Sequence, residues 1–440
     1  MIKTFPNAVK FLEKYIPTPD KKHPGELGLK RMEYLMELLG NPQLKYPTIH
    51  VGGTSGKGST STFIASMLAT KYKVGLTTSP HLVKINERIK LNGMDITDTD
   101  FVRLINKIKP LVEKIEKNKL GAPSYWEIVT AITFLYFDRQ KVDIAIIEVG
   151  LGGKFDASNV IKPVVAVITN VGLDHTDILG DTVEKIAREK AGIIKQGIKV
   201  VSAARQQSVI KIIEEKCKKE KAKLSLLHGD FSYKVEKLTE SGIIFDYFGK
   251  LKPKNLKISL LGEHQIENAA LAIRAIEHLT FNNQQLTIDN IRKGLLSAYI
   301  PGRLEIIQKK PLVVLDGAHN PDKVRALVAS IKKIFPGKKI IAIIAIKNDK
   351  NAREMLTQLL KISHKVIFTK FQLTADIGII NSYDPEELLK ISQTIDKKKQ
   401  MMIIKNAQKA LEKVIKSAKS DDVILITGSL YLVGEIKREY

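Results

Sequence analysis

The sequence is poor in several things, and each shortage closes a class of explanation. It has one cysteine in 440 residues, Cys217, within "EEKCKKEKAK". A lone cysteine has no partner in the chain, so intrachain disulfides and a cysteine-built zinc site are excluded. No apolar run approaches the roughly 18 to 20 residues that cross a bilayer. The opening stretch "MIKTFPNAVKFLEKYIP" lacks the continuous apolar core of a secretory signal. These two shortages predict a cytoplasmic protein with no membrane partner. Internal repeats of fixed period and low-complexity segments are missing too. Acidic residues number 47 against 71 lysines and arginines, for a net charge of +24. That excess invites a nucleic-acid reading, but aromatics make up only 6% of the chain and rarely interleave with the basic residues. The lysines are spread along the length in stretches such as "KKIFPGKK" and "IDKKKQ", as on solvated faces, so no nucleic-acid partner is expected. The same charge favours polyanionic small molecules such as ATP and polycarboxylates.

What is present is a folded α/β pattern. Hydrophobic residues make up 44% of the chain, and its length exceeds one ordinary core, so two domains are expected. Short β-branched runs alternate with stretches of helical period, the signature of parallel-sheet βα units. "YPTIHVGG", "KVGLTT", "VDIAIIEVG", "VVAVITNVG" and "KVVSAA" read as strands, with "GSTSTFIASMLATKY" and "TVEKIAREKAGIIKQG" as helices. After residue 220 polar alternation predicts antiparallel hairpins, followed by a helix over "ENAALAIRAIEHL". The βα pattern restarts with "LVVLDGAHN", "KIIAIIAIK", "HKVIFTK" and "DVILITGS". Pro301 and Gly302 place the boundary near Ile300. The expected fold is a phosphate-loop-type, mostly parallel sheet flanked by helices over residues 1–300, and a smaller Rossmann-like α/β domain over 301–440.

Open α/β sheets bind ligands beyond the carboxyl ends of their strands, so polar residues there carry the chemistry. "HVGGTSGKGST", residues 50–60, ends the first strand but breaks the strict phosphate-loop spacing. Val51 stands where the first glycine should be, and Gly58 separates Lys57 from Ser59. Its glycines would let backbone N–H groups approach a phosphate while Lys57 adds a point charge, and Ser59 or Thr60 would face a magnesium ion. A glycine-rich turn with a serine cap fits the segment equally well. Glu148 ends another strand just before three glycines, either as a magnesium ligand or as an exposed carboxylate beside a turn. Asp174, His175 and Asp177 follow a third strand; Asp316, His319 and Asn320 follow the first clear strand of the second domain. Arg303 lies between the domains, and Lys190 reads as a solvated helix lysine. No Ser/His/Asp or Cys/His nucleophile is visible, so phosphoryl chemistry with ATP leads.

Ten segments in register resemble the folylpolyglutamate and dihydrofolate synthases of the Mur ligase superfamily: "GTSGKGS", "TSPHLVKINERIKLNG", "SYWEIVTAITFLYF", "EVGLGGKFDASNV", "TNVGLDHTDILG", "REKAGIIK", "GEHQIENAALA", "PGRLE", "LDGAHNPD" and "ITGSLYLVGE". The relaxed loop, with glycine between lysine and serine, is the form that family uses. The resemblance implies an ATP-dependent amide ligase that joins L-glutamate to a dihydropteroate or reduced-folate carboxylate through an acyl phosphate, with ATP and Mg²⁺ as cofactors. Carried over by position, Gly56, Lys57, Gly58, Ser59 and Thr60 form the phosphate cradle. Asn268, Arg303 and Asp316 hold ATP, with His319 close by. Ser79, Glu148 and His175 are the implied magnesium ligands, and Lys190 matches a carbamylated lysine. Lys57, Glu148, His175 and Lys190 thereby become the expected catalytic set. Ser124, Tyr125, Trp126, Glu127, Phe155, Asp156 and Ala157 match segments lining a pterin site, to which "GELGLKR" adds.

Three departures from the family pattern stand out. Ser55 replaces an asparagine, Lys154 and Phe155 replace Arg-Leu, and "IKNDKN" replaces an Asp-Lys-Asp run, leaving Asp349 and Lys350 as open adenine-side contacts. Muramyl peptide ligases share the implied chemistry but would carry a UDP-binding domain before the loop, and only about 50 residues precede it here. A monomer is expected, and the bifunctional bacterial type is favoured.

Overall fold

The computed structural model describes residues 1–17, 24–279, 286–375 and 378–439. The first sheet has eight strands: β1 (Thr48–Gly52), β2 (Val74–Thr77), β3 (Ile89–Leu91), β4 (Met94–Asp95), β5 (Ile144–Glu148), β6 (Val165–Ile168), β7 (Lys199–Ser202) and β8 (Lys223–Leu226). Their spatial order is β4-β3-β2-β5-β1-β6-β7-β8. All neighbours from β2 to β8 run parallel, and only the β3 and β4 edge is antiparallel. The central strands β1, β5 and β6 are buried along their whole length, as parallel strands covered on both faces must be. Val51 pairs with Glu148 and Gly52 with Ile168, so β1, β5 and β6 end level. The three loops that follow are thus delivered side by side.

The helix Lys57–Ala69 starts directly from the first of these loops. It lies between the sheet and two further helices, His264–Glu277 and Ile288–Ser297. Ser59, Thr60, Ser61, Phe63, Ile64, Ala65, Met67 and Leu68 are all buried, so the helix is covered around most of its circumference rather than along one stripe. Gly294 allows the close crossing, since a Cβ there would overlap the Met67 backbone. The expected hairpin is an antiparallel set, β9 (Ser232–Thr239), β10 (Gly242–Phe248) and β11 (Leu256–Ile258). Its inner side chains Ile243, Phe245 and Tyr247 join the same core. β8, whose polar sequence hides it, instead extends the parallel sheet.

The second sheet contains β12 (Glu305–Lys309), β13 (Leu312–Leu315), β14 (Ile340–Ile344), β15 (Ser363–Phe368), β18 (Gln400–Ile403) and β19 (Val423–Thr427), with β16 (Gln372–Ala375) and β17 (Gly378–Asn381) forming a separate hairpin. The order is β12-β13-β19-β14-β15-β18, parallel except for the edge strand β12. Among the described residues no strand is shared between the two large sheets, whose last and first strands are β8 and β12. The segment 79–84 bridges them. Leu82 packs against the second sheet's apolar cluster, and Gly434, in the helix Leu430–Glu439, sits directly beneath its carbonyl. Among the described residues no helix is long and apolar enough to cross a membrane.

Candidate active site

The loop after β1 is held by the segment after β6. Ser55 N–H donates to Asn170 Oδ1 at 2.8 Å, and Thr54 N–H donates to the Asn170 carbonyl at 2.9 Å. The Thr169 hydroxyl donates to the Ser55 carbonyl at 2.7 Å, and Thr54 exchanges hydrogen bonds with the Gly172 backbone. Gly53 and Gly56 both have positive φ, 138° and 85°. At Gly53 a Cβ would collide with the Thr169 hydroxyl, and at Gly56 with the Asn268 amide. These are the conformations and close approaches only glycine allows. Gly56 caps the helix that begins at Lys57, so unpaired N–H groups of its first turn, with the positive end of the helix dipole, lie at the loop. The serine cap of the alternative reading is absent, since Gly56 is the cap and no side chain caps the helix.

Charge then gathers around the cradle. Lys57 Nζ donates to the Gly53 carbonyl at 3.2 Å, and Lys190 Nζ donates to the same oxygen at 3.0 Å. The solvated reading of Lys190 is overturned, since the residue is buried at 4% exposure. Its helix, Val183–Ala191, packs under the glycine turn after β5, where Gly153 lies against the Glu189 and Lys190 backbone. Burial, and secondarily Lys57, push the Lys190 amine down from 10.5 to about 7, against the pull of Asp174 and Glu189. Glu148 is also buried and likewise no exposed turn residue. Burial raises its pKa, while Lys57, the Ser79 N–H at 2.8 Å, Arg303 and Arg88 oppose the rise. Glu148 carboxylate oxygens also face Gly58.

The other expected nucleotide contacts come from both sheets. Asn268 sits on Gly56, within 3.5 Å of the Thr60 hydroxyl, and its amide donates to Gln265 Oε1 at 3.0 Å. Asp316 is buried beyond β13, accepting from Leu304 N–H at 3.0 Å and Ala318 N–H at 2.9 Å. Burial raises its pKa, with Arg303 the foremost opposing charge. Because Arg303 acts on both Glu148 and Asp316, it joins the two halves of the cleft. His319 Nδ1 lies 2.8 Å from the Gly317 carbonyl. Asp349 pairs with Lys347 at 2.8 Å and Lys350 at 3.5 Å, and Lys350 reaches the electrostatic surroundings of His175 and His319.

His175 is less tightly drawn in. It caps the short helix Thr176–Leu179 with φ 50°, its side chain is more than half exposed, and its ring lies 3.9 Å from Asp174. Among the described residues no three His, Cys, Asp or Glu side chains gather as a metal cluster. A magnesium ion needs no such cluster, because it keeps most of its waters and takes one or two carboxylates. A buried, incompletely compensated Glu148 carboxylate beside Ser79 fits that requirement.

The segments expected at a pterin divide in two. Ser124 and Glu127 cap the helix Tyr125–Gln140 reciprocally. Glu127 is further spent in a buried bidentate pair with Arg31, at 2.6 and 2.7 Å, so its carboxylate orders the fold instead of facing a ligand. Tyr125 is buried, its N–H on the Tyr15 carbonyl at 2.9 Å. Trp126 lies over Gly150 with the Arg88 guanidinium 5.5 Å from its ring centre, and its Nε1 is buried without a hydrogen-bond partner among the described residues. A water-sized cavity of about 10 Å³ separates Trp126 from Glu148. Phe155 is covered by Lys154 Nζ at 4.6 Å from its ring centre. Asp156 caps the 3₁₀ turn Ala157–Val160, accepting from Leu151 N–H and Ser158 N–H, each at 2.9 Å, and from the Ser158 hydroxyl. Gly28 of "GELGLKR" packs beside Glu127.

Several residues escaped sequence reading: Asn170, Arg88, His50, Ser158 and Lys323. Lys323 had a usable signal, its spacing of four from His319 at a helix start, and its Nζ donates to His319 Nε2 at 2.9 Å. Ser158 is bound locally to Asp156, but its contact with His50, like the contacts of Asn170 and of Arg88 with Trp126, is tertiary and no local spacing encodes it.

Comparison with known proteins gives a consistent result. The Mur ligase middle domain family matches residues 51–276, and the dihydrofolate synthetase C-terminal domain family matches residues 303–439. A dihydrofolate synthase/folylpolyglutamate synthase of Bacillus subtilis is 39% identical over 416 residues, covering 93% of this chain and 94% of that protein. The folylpolyglutamate synthase structure of Thermotoga maritima superposes with a TM-score of 0.86 at 35% identity, covering 99% of this chain and 96% of that one. The Mycobacterium tuberculosis folylpolyglutamate synthase complexed with ADP gives a TM-score of 0.88 at 29% identity, with 99% and 97% covered.

Proposed function

The chain belongs to the folylpolyglutamate and dihydrofolate synthases of the Mur ligase family, and from that premise we propose how its own residues divide the work. It is an ATP-dependent ligase that adds L-glutamate to a pteroate or folate carboxylate. The acceptor carboxylate attacks the γ-phosphorus of ATP, ADP leaves, and the amine of glutamate then displaces phosphate from the acyl phosphate. Such chemistry asks for alignment and charge neutralisation rather than a protein nucleophile. The observation that carries the assignment is the convergence of Lys57 and Lys190 on one carbonyl, beside buried Glu148 and opposite Arg303 and Asp316.

In this reading the backbone of residues 56–60 and Lys57 hold the phosphates, Asn268 fixes the loop, and Arg303, Asp316 and His319 close the nucleotide from the second domain. The domains divide at Ile300, into 1–300 and 301–440. Ser79, Glu148 and His175 would hold magnesium, which when bound neutralises phosphate charge. A lysine amine titrating near pH 7 is half neutral in the cell's range, the form that adds to CO₂ to give a carbamate and a proton. Carbamylated Lys190 would turn a cation into an anion able to help hold a second magnesium. A mass shift, or added density on Nζ, tests it. Trp126, Phe155, Asp156 and Ala157 face the pterin, and the orphaned Trp126 Nε1 supplies a donor. We take the enzyme to be a cytoplasmic monomer, open to test by light scattering and cell fractionation.

The deciding experiment is phosphate release with Mg-ATP and L-glutamate, with dihydropteroate or tetrahydrofolate as acceptor. Both acceptors are expected to turn over. Turnover with tetrahydrofolate alone would restrict the enzyme to polyglutamylation, and silence with both would overturn the acceptor assignment.

A further inference from the structure

The helix Pro321–Ile334 opens on a fixed turn: Asn320 caps it by accepting from Lys323 N–H at 2.9 Å. On that turn His319 and Lys323 form a directed pair. His319 Nδ1 sits 2.8 Å from the Gly317 carbonyl, which accepts only, so the ring proton is on Nδ1. Nε2 is left as an acceptor, and Lys323 Nζ donates to it at 2.9 Å. The lysine is thereby aimed by a neutral imidazole, with two more N–H donors to spare.

Its electrical surroundings are lopsided. The leading charges acting on Lys323 are three cations, Arg303, Lys57 and Lys350, against the carboxylate of Asp174, and Asp316 also lies within its field. Lys57 and Asp174 belong to the first domain, so this second-domain side chain reaches the field of the phosphate loop across the cleft. Among the described residues no carboxylate lies within ion-pair distance of its ammonium. A desolvated ammonium among like charges is a costly arrangement that a bound anion relieves.

We propose that Lys323 is a further anion-binding residue of the cleft, donating to an oxyanion of a reacting substrate while His319 Nε2 holds it in place. The oxyanion is either the transferred phosphoryl group or a carboxylate of L-glutamate. The inference rests on the ligase reading. Lys57 and Lys323 then grip the substrates from opposite domains, which ties anion binding to the closed arrangement of the two sheets. Burial, with Arg303 the leading charge, brings Lys323 down to about 8, so in the free enzyme the contact weakens as pH rises past that value.

The test is steady-state kinetics of wild type, Lys323→Met and Lys323→Arg, varying ATP, L-glutamate and tetrahydrofolate in turn. Wild-type turnover tests the ligase reading by itself; the proposal is judged on variant-to-wild-type ratios, and on ATP binding by calorimetry, which needs no turnover. Lys323→Met should raise KM for ATP or for glutamate about tenfold, the size of a lost charge-assisted hydrogen bond. The tetrahydrofolate KM should stay within about twofold. An effect on ATP assigns the phosphoryl oxyanion, and one on glutamate assigns its carboxylate. Lys323→Arg, charged at every accessible pH, should restore most of the affinity and lose less than wild type between about pH 7 and pH 9. This second arm holds even where the methionine variant does not fold. Unchanged Michaelis constants for both anions, a rise confined to the folate, or an arginine profile that follows wild type would each overturn the proposal.

Discussion

The ammonium groups of Lys57 and Lys190 share one acceptor, the carbonyl of Gly53, at 3.2 and 3.0 Å. Two cations on one neutral oxygen form a local excess of charge that the free protein endures and a phosphate or a carbamate would relieve. The pKa of Lys190 records the cost: burial first, then Lys57, bring it from 10.5 to about 7. Between about pH 7 and pH 10 the unfolded chain binds a proton there that the folded chain has released, so stability rises with pH across that window. Below it the folded state carries the full cost of a buried ammonium. In CO₂-free buffer, Lys190→Met should therefore be more stable than wild type near pH 6, by on the order of a few kcal/mol, and the gap should close towards pH 10. Urea denaturation at several pH values measures it, and a gap that ignores pH would contradict the account. Activity of the variant should be severely reduced.

Glu127 matches a ligand-lining segment in sequence, and its neighbour in space is Arg31. Both partners are buried, and the pairing is bidentate at 2.6 and 2.7 Å. Removing one member strands a charge, which costs about 3 to 5 kcal/mol. Glu127→Ala should lose stability on that scale, and Arg31→Met with Glu127→Leu should recover much of it. Denaturant midpoints of the three proteins decide the matter; a fully stable Glu127→Ala would return the carboxylate to the ligand.

His50 leads to the other end of the site. The only hydroxyl proton of Ser158 goes to the Asp156 carboxylate, so Ser158 Oγ must accept from His50 Nε2 at 2.8 Å. His50 Nδ1 is left buried and unpartnered among the described residues, and burial brings the imidazole down to about 3, so it stays neutral. The relay ties β1, which feeds the glycine-rich loop proposed to hold phosphate, to Asp156. Ser158→Ala breaks it and should cost about 1 to 3 kcal/mol of stability, the range for a buried polar group left unsatisfied. If Asp156 meets the pterin, the dihydropteroate KM should rise while the ATP KM holds. Equal changes in both would make the relay purely structural.

Much of this was legible in the chain. β1, β5 and β6 announce themselves as unbroken apolar runs, and the glycines after them mark loops where backbone must come close to something. The cap pair Ser124 and Glu127 is a local spacing and equally readable. The same spacing could not say that Glu127 is consumed by Arg31, 96 residues away, because that pairing exists only once the helices Gly25–Leu38 and Tyr125–Gln140 are packed. Lys190 misled for a similar reason. Its helix has an ordinary amphipathic sequence, and only the glycine turn beneath it makes its position an interior one. β8 was lost among lysines because an edge strand needs little apolar surface to pair.

The connection between the two sheets gives the last prediction. Ser79 N–H contacts Glu148 at 2.8 Å, and three residues later Leu82 rests on the helix Leu430–Glu439. Glu87 fixes the intervening backbone by accepting from the N–H groups of Leu82, Val83 and Lys84 at 2.7, 2.8 and 2.8 Å. The segment is therefore a short braced arm with the candidate magnesium ligand at one end and the second domain at the other. A Cβ at Gly434 would overlap the Leu82 carbonyl oxygen, and a backbone atom cannot swing aside as a flexible side chain would. Gly434→Ala should thus shift the arm rather than unfold either sheet. It is expected to lower kcat about tenfold or more, as small misplacements of aligned groups do, with a near-wild-type circular dichroism spectrum and melting temperature. Shortening the opposing side, Leu82→Ala, keeps the backbone clash and should not rescue it. Full activity in Gly434→Ala would show that the arm tolerates displacement and that the domains are not coupled through Leu82.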